Sequence, residues 1–145
     1  MVKEEFYYDS RDGKSKLHAV RYAPEAEEEI RCVVQIVHGM SEYIERYEEF
    51  AGFTARGCVV TGEDHMGHGK SVDKAGKYGY FCEQDPATVL VRDVHRLKKA
   101  TQALYPGVPY IIIGHSMGSF ITRNYMFRYG TGISAAVIMG TGMQP

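Results

Sequence analysis

At 145 residues the chain is long enough for one domain with a sizeable core. An apolar fraction of 44% is ordinary for a globular protein, and a net charge of −1 excludes the basic footprint of a nucleic-acid binder. The charged start, Met1 to Ser10, lacks the apolar stretch of a signal peptide, and no run approaches the roughly 18 apolar residues of an integral membrane segment. The three cysteines, Cys32, Cys58 and Cys82, make no disulfide framework. Cys32 and Cys58 each open a predicted buried strand and read as small core residues, which suits a reducing, cytoplasmic setting.

Phe6-Tyr7-Tyr8 and Leu17 to Tyr22 read as two short strands. Arg11-Asp12-Gly13-Lys14 between them carries the Asp-Gly hairpin signal, so they should pair antiparallel at one end of a sheet. Pro24 to Glu29 is an acidic surface loop. Cys32 to Val37 is a nearly continuous apolar strand, as expected where both faces are covered. A helix follows within Tyr43 to Arg56, with Tyr43, Tyr47, Phe50, Ala51 and Thr54 on one face and Gly57 as a left-handed cap. Cys58 to Thr61 is the next buried strand. Asp64 to Ser71 is a glycine-punctuated loop that continues irregularly to Phe81.

Asp85-Pro86 gives an N-cap and a first-turn proline. Leu90, Val94, Leu97 and Leu104 form the apolar stripe of a helix ending near Tyr105, with Lys98 and Lys99 placed to suit its dipole. Pro106-Gly107 breaks it. A strand at Tyr110 to Ile113, a helix at Met117 to Tyr129 stopped by Gly130, and a strand at Ala135 to Met139 complete the chain. Strands alternating with helices predict an α/β fold with a mostly parallel sheet, helices on both faces and an N-terminal antiparallel hairpin.

Gly114-His115-Ser116-Met117-Gly118 stands between that strand and that helix. Strand, Gly-x-Ser-x-Gly, helix is the setting of a nucleophile elbow. The turn lifts the serine hydroxyl above the sheet edge, and the first free N–H groups of the helix favour negative charge beside it. Ligands of parallel sheets lie beyond the carboxyl ends of the strands. His38-Gly39-Met40, Asp64 to Ser71 and the elbow all fall at such ends, so three loops converge on one rim.

Together these stretches resemble the monoacylglycerol lipase and lysophospholipase branch of the α/β-hydrolase superfamily, the serine aminopeptidase-like hydrolases. The resemblance rests on His38-Gly39-Met40-Ser41-Glu42 with Arg46-Tyr47, on Asp64 to Ser71, on Gly114 to Ser119, and on Gly140 to Pro145, which is similar to the segment leading into that branch's helical cap. It implies that Ser116 is the nucleophile attacking an ester carbonyl, and that the backbone N–H groups of Met117 and Met40 form the oxyanion hole. Donors of that kind are worth roughly 2.7–4 kcal/mol each. It also implies a supporting role for His38, Gly39, Gly114 and Gly118, a small-molecule acyl ester as substrate, and no metal or organic cofactor. Ser41 stands where the branch usually has glycine, Tyr43 where it often has histidine, and Met66 where it often has arginine.

The superfamily orders its residues serine, acid, histidine, yet after Ser116 this sequence has no Asp, Glu or His. The expectation is that residues 1–145 are the N-terminal portion of one α/β-hydrolase domain, through the sixth strand, with the C-terminal part, the cap and the last strands absent. None of the upstream histidines reads as a substitute base. His115 should point away from Ser116, His65 and His68 have only the spacing of a weak metal pair, and His18 and His95 lie on a strand and a helix. Without a base the hydroxyl is a poor nucleophile, and losing one costs on the order of 10⁶ in turnover. The last strand should leave a free sheet edge through which the chain self-associates.

The function expected is a serine hydrolase cleaving a monoacylglycerol- or lysophospholipid-type ester through an acyl-enzyme on Ser116. An aminopeptidase or thioesterase of the same superfamily is the alternative among enzymes. A catalytically incomplete fragment or binding-only relative is the alternative outside them.

Overall fold

The computed structural model describes residues 1–25, 29–72 and 76–143. Residues 26–28 of the expected acidic loop, 73–75, and Gln144-Pro145 of the expected cap-leading segment lie outside the described residues. Six strands form one sheet: β1 (Val2–Asp9), β2 (Lys16–Ala23), β3 (Cys32–Val37), β4 (Cys58–Glu63), β5 (Tyr110–His115) and β6 (Ala135–Met139). Their spatial order is β1-β2-β4-β3-β5-β6. β1 and β2 pair antiparallel along their whole length, from Val2 opposite Ala23 to Asp9 opposite Lys16, so the hairpin strands are longer than the sequence alone suggested. β2 joins β4 antiparallel, and β4, β3, β5 and β6 are mutually parallel. This is the mostly parallel sheet with an N-terminal antiparallel hairpin that the alternation and the Asp-Gly turn predict.

The buried strands feed two cores because side chains alternate across a sheet. Val33, Val37 and Val59 join Val91, Val94, Ile112, Ile121 and Tyr125 beneath helices α1 (Pro86–Leu104) and α2 (Met117–Tyr129). Val34, Ile36 and Val60 join Val20, Tyr22, Ile44 and Ala51 beneath the helix Ile44–Arg56 on the other face. Each fully buried aliphatic side chain contributes roughly 1.5–3 kcal/mol. Gln35 is polar in the middle of β3 and fully buried, yet its Nε2 donates to Val94 O at 3.2 Å and its Oε1 accepts from Tyr110 Oη.

Four details depart from the sequence reading. The segment Ile44–Arg56 is a 3-10 helix kinked at Tyr47, and its buried residues are Ile44, Ala51 and Thr54, while Tyr43 precedes it in extended backbone and is exposed. A three-residue turn rotates side chains by about 120°, so a face assigned at 3.6 residues per turn drifts out of phase. Leu104 ends α1 exposed rather than within its stripe. Lys98, expected as a partner of the helix dipole, is buried with its ammonium about 6 Å from the Tyr110 and Tyr125 rings (5.8 and 5.9 Å). Cys32 and Cys58 are half-buried rather than core residues. Other punctuation holds: Gly57 caps the 3-10 helix at φ 82°, and Asp85 Oδ1 accepts from the Thr88 N–H ahead of Pro86. Among the described residues no helix is long and apolar enough to cross a membrane.

Candidate active site

Ser116 sits between β5 and α2 at φ 56°, ψ −120°, a conformation that costs a non-glycine residue roughly 1–3 kcal/mol. Neighbouring backbone holds it there. The Ser116 N–H donates to Met139 O at 2.9 Å, and the Ser116 carbonyl accepts from both the N–H (2.9 Å) and the hydroxyl (2.6 Å) of Ser119. The strain leaves the Ser116 side chain exposed at the carboxyl end of β5. Among the described residues nothing hydrogen-bonds its hydroxyl.

The flanking glycines are set by close approach. A Cβ on Gly118 would fall on the carbonyl oxygens of Val37 and His38, because the first turn of α2 packs against the end of β3. A Cβ on Gly114 would lie 2.5 Å from Gly118 O. Gly39 runs past Ser116, where a Cβ would come within 3.0 Å of Ser116 Cβ and 2.7 Å of Glu42 Oε1. The loop after β3 and the elbow are therefore in contact. Met40, next in that loop, has an exposed side chain, and Ser41 follows at φ 61°. Among the described residues the N–H groups of Met40 and Met117 have no hydrogen-bond partner.

His38 is fully buried under this loop. Its Nδ1–H donates to Gly39 O at 2.8 Å, and its Nε2 accepts from the His65 N–H at 3.1 Å. Burial, then the neighbouring His65, pushes its pKa well below the usual histidine range, so it stays neutral. His65 Nε2–H donates to His38 O at 2.9 Å, and burial pushes the His65 pKa down to about 4. His68 Nδ1–H donates to Met66 O, while its buried Nε2 has no partner among the described residues. His115 Nδ1 faces Glu42 Oε1 at 2.8 Å, His18 lies between Asp64 and Glu5, and His95 bonds Tyr125 Oη and stacks on Tyr129. All six histidines of the sequence are thus engaged away from Ser116 Oγ.

Two acids organise the rim, and neither had a role assigned from the sequence. Glu42 accepts from the Gly39 N–H (2.8 Å), His115 Nδ1–H (2.8 Å) and Tyr47 Oη–H (2.9 Å). Burial raises its pKa, but these bonds outweigh it and hold the carboxyl below its ordinary value. Asp64 accepts from the Ile44 N–H at 2.7 Å, the Lys70 N–H at 2.9 Å and His18 at 2.8 Å. The group of residues spaced for a metal among those described is Glu5, His18 and Glu45. Lys70 already bridges the two carboxylates at 2.8 Å each, and Lys3 sits on Glu45 at 2.7 Å.

A family model described as serine aminopeptidase, S33, matches residues 28–145. A monoglyceride lipase homolog of Monkeypox virus is 36% identical over 99 residues, covering 63% of this chain and 32% of that protein. A monoacylglycerol lipase of Mycolicibacterium smegmatis is 36% identical over 111 residues, covering 76% and 38%. A thermostable carboxyl esterase from Bacillus coagulans, solved with glycerol, superposes with a TM-score of 0.86 at 36% identity, over 94% of this chain and 43% of that one. A lipase solved in an open form gives 0.89 at 29% identity, over 99% and 46%. The chain spans about a third of the length of the curated relatives it matches.

Proposed function

Because the chain belongs to the serine aminopeptidase S33 family of α/β-hydrolases, we propose that it carries the nucleophile and oxyanion hole of a carboxylic ester hydrolase. One arrangement supports this reading above all. The exposed side chain of Ser116 stands on a strained turn, the loop of Gly39 runs past it, and among the described residues the N–H groups of Met40 and Met117 have no hydrogen-bond partner. Ser116 Oγ attacks the ester carbonyl, and the carbonyl oxygen takes up negative charge facing those donors and the first turn of α2. The alcohol then leaves, and water releases the acyl group from Ser116. Donors fixed before the reaction need no reorganisation as charge develops, and removing one lowers turnover on the order of 10²–10³-fold.

The similarity to monoglyceride and monoacylglycerol lipases supports a monoacylglycerol- or lysophospholipid-type ester as substrate. Hydrolysis of a monoacylglycerol, a lysophospholipid, an acyl thioester and an amino-acyl anilide, each compared with the Ser116→Ala variant, tests it. Preference for the anilide would replace the lipase reading with an aminopeptidase one, and preference for the thioester with a thioesterase one.

A second reading has its own observation. No acid or histidine follows Ser116, and the upstream histidines are engaged elsewhere. The mechanism requires a base and an acid, and the described residues bring neither to Ser116. On this reading the chain by itself is expected to turn over a p-nitrophenyl ester at the rate of its Ser116→Ala variant and to act as an acyl-binding or partner-binding unit. A Ser116-dependent rate from the 145-residue chain would overturn that. The outer edge of β6 adds a route to self-association between copies of the chain.

A further inference from the structure

Cys32 and Cys58 open β3 and β4 as direct neighbours in the parallel register, and their Sγ atoms are 3.1 Å apart. Ladder neighbours are about 4.8 Å apart, inside the Cα window of roughly 4.4–6.8 Å that a disulfide accepts, and closing the sulfurs to about 2.05 Å takes a shift near 1 Å. Both residues are half-buried, so a small oxidant reaches them while bulk solvent is partly held off. They sit at the amino ends of their strands. Ser116 lies beyond the carboxyl ends, across a layer whose six-residue strands span roughly 16 Å. Cys82, the third cysteine, lies elsewhere, with its Sγ 3.4 Å from Gln84 O.

We propose that Cys32 and Cys58 are a dithiol modification site that a peroxide closes to a disulfide, stapling β3 to β4 at the end of the sheet remote from the elbow. One sulfur attacks a peroxide oxygen, the O–O bond breaks, and hydroxide leaves behind a sulfenic acid. The second sulfur attacks that sulfur, the S–S bond forms, the S–O bond breaks, and a second hydroxide leaves. The two thiol protons convert both hydroxides to water. The sulfurs lose two electrons and the peroxide oxygens gain them.

The closed loop runs from residue 32 to residue 58 and contains the turn at His38 to Met40 and the whole 3-10 helix. Tying its ends removes freedom chiefly from the unfolded chain, so the bond stabilises without touching the rim. Burial, then the hydrogen bond to Cys58, pushes the Cys32 thiol up to about 11, so closure is slow at neutral pH and quickens as pH rises.

The test treats the purified, fully reduced protein with hydrogen peroxide at pH 8 and follows thiol count, intact mass, peptide map and melting temperature. The expected result is loss of two thiols and two hydrogens, a peptide linking Cys32 to Cys58, and a melting temperature higher by roughly 5–10 °C that dithiothreitol reverses. Cys82→Ser behaves like the parent, whereas Cys32→Ser and Cys58→Ser lose the shift. The parent protein alone suffices if a variant fails to fold. A linkage through Cys82, or sulfinic acid on either residue with no linked peptide, overturns the proposal.

Discussion

Glu42 Oε1 lies 2.8 Å from His115 Nδ1 and 2.8 Å from the Gly39 nitrogen, so one carboxylate oxygen joins the loop after β3 to the residue that precedes Ser116. With Tyr47 on its other oxygen, Glu42 is a strut between the two halves of the rim. Glu42→Ala strands three donors in a largely buried setting and is expected to cost about 2–4 kcal/mol. Glu42→Gln keeps the shape but loses the charge, and should cost less than Glu42→Ala. Urea unfolding of the three proteins measures this, and an unchanged midpoint for the alanine variant would remove the strut from the account.

The buried face of β4 predicts a pH effect. Glu63 is fully buried, and neither carboxyl oxygen has a hydrogen-bond partner among the described residues; His65 Nδ1 at 3.3 Å is near but not in bonding geometry. Burial raises its pKa from 4.5 to about 8, with the charge on Asp64 adding to this and the nearby backbone N–H of Glu63 itself opposing it. The folded chain therefore holds a proton that the unfolded chain releases above its ordinary value. Stability from this group is complete below pH 4.5 and is lost as pH rises towards 8. Asp93, raised by burial to about 7, acts in the same direction. Glu63→Gln should gain on the parent by roughly 1 kcal/mol per pH unit across that window and level off above it. Parallel stability curves for the two proteins from pH 5 to 9 would contradict this.

Ser41 adopts φ 61°, where a side chain is strained and glycine is not. Ser41→Gly is expected to stabilise by about 1 kcal/mol, net of the entropy that glycine adds to the unfolded chain. A lowered melting temperature would mean that the Ser41 side chain supplies a contact worth more than the strain.

Gly118→Ala should be far more damaging, because its Cβ meets the backbone carbonyl oxygens of Val37 and His38 and not a movable side chain. The expected loss exceeds 3 kcal/mol, read as failure to accumulate in soluble form or as a melting temperature lower by more than about 10 °C. Gly13→Ala is a useful contrast: it has open space around it and only its φ of 83° to strain it.

Among the described residues β6 pairs only with β5, it leaves Val137 and Met139 about 40% exposed (42% and 40%), and Phe127 of α2 is 92% exposed. A bare strand edge is a template for another copy. The 145-residue chain is expected to elute above its monomer mass, and Val137→Lys combined with Phe127→Glu to return it towards monomer. Light scattering that gives a monodisperse monomer for the parent would refute this.

Local signals carried most of the fold. The bounds of α2 and β6 follow from glycines and apolar runs, and the Asp85-Pro86 start of α1 from capping chemistry. The sharp turn at Ser116 between β5 and α2 was legible for the same reason, since its Gly-x-Ser-x-Gly pattern is written in five consecutive residues. The struts were not. Glu42 meets His115 across 73 residues and Asp64 meets His18 across 46, and no local spacing encodes such a pair. The 3-10 helix misled in phase: Asp64 captures the Ile44 N–H and pulls Ile44 inward, which turns Tyr43 out. Lys98 misled because its stem and ammonium lie against tyrosine rings contributed by β5 and α2.

The place of β3 between β4 and β5 has a consequence for how the protein is made. β4 follows β3 closely in the chain, but Val33 waits for Tyr110, 77 positions later, before its second edge is paired. A growing chain therefore spends the synthesis of the whole α1 segment with its central strand open on one side. At about 5–20 residues per second this interval lasts several seconds. Closing so long a loop is entropically slow, and an uncovered apolar strand recruits chaperones or neighbouring nascent chains in the meantime. The contact of Gly39 with Ser116 is then among the last features to form, so a ribosome pausing after Leu104 would hold the protein in a state with a formed hairpin and no elbow.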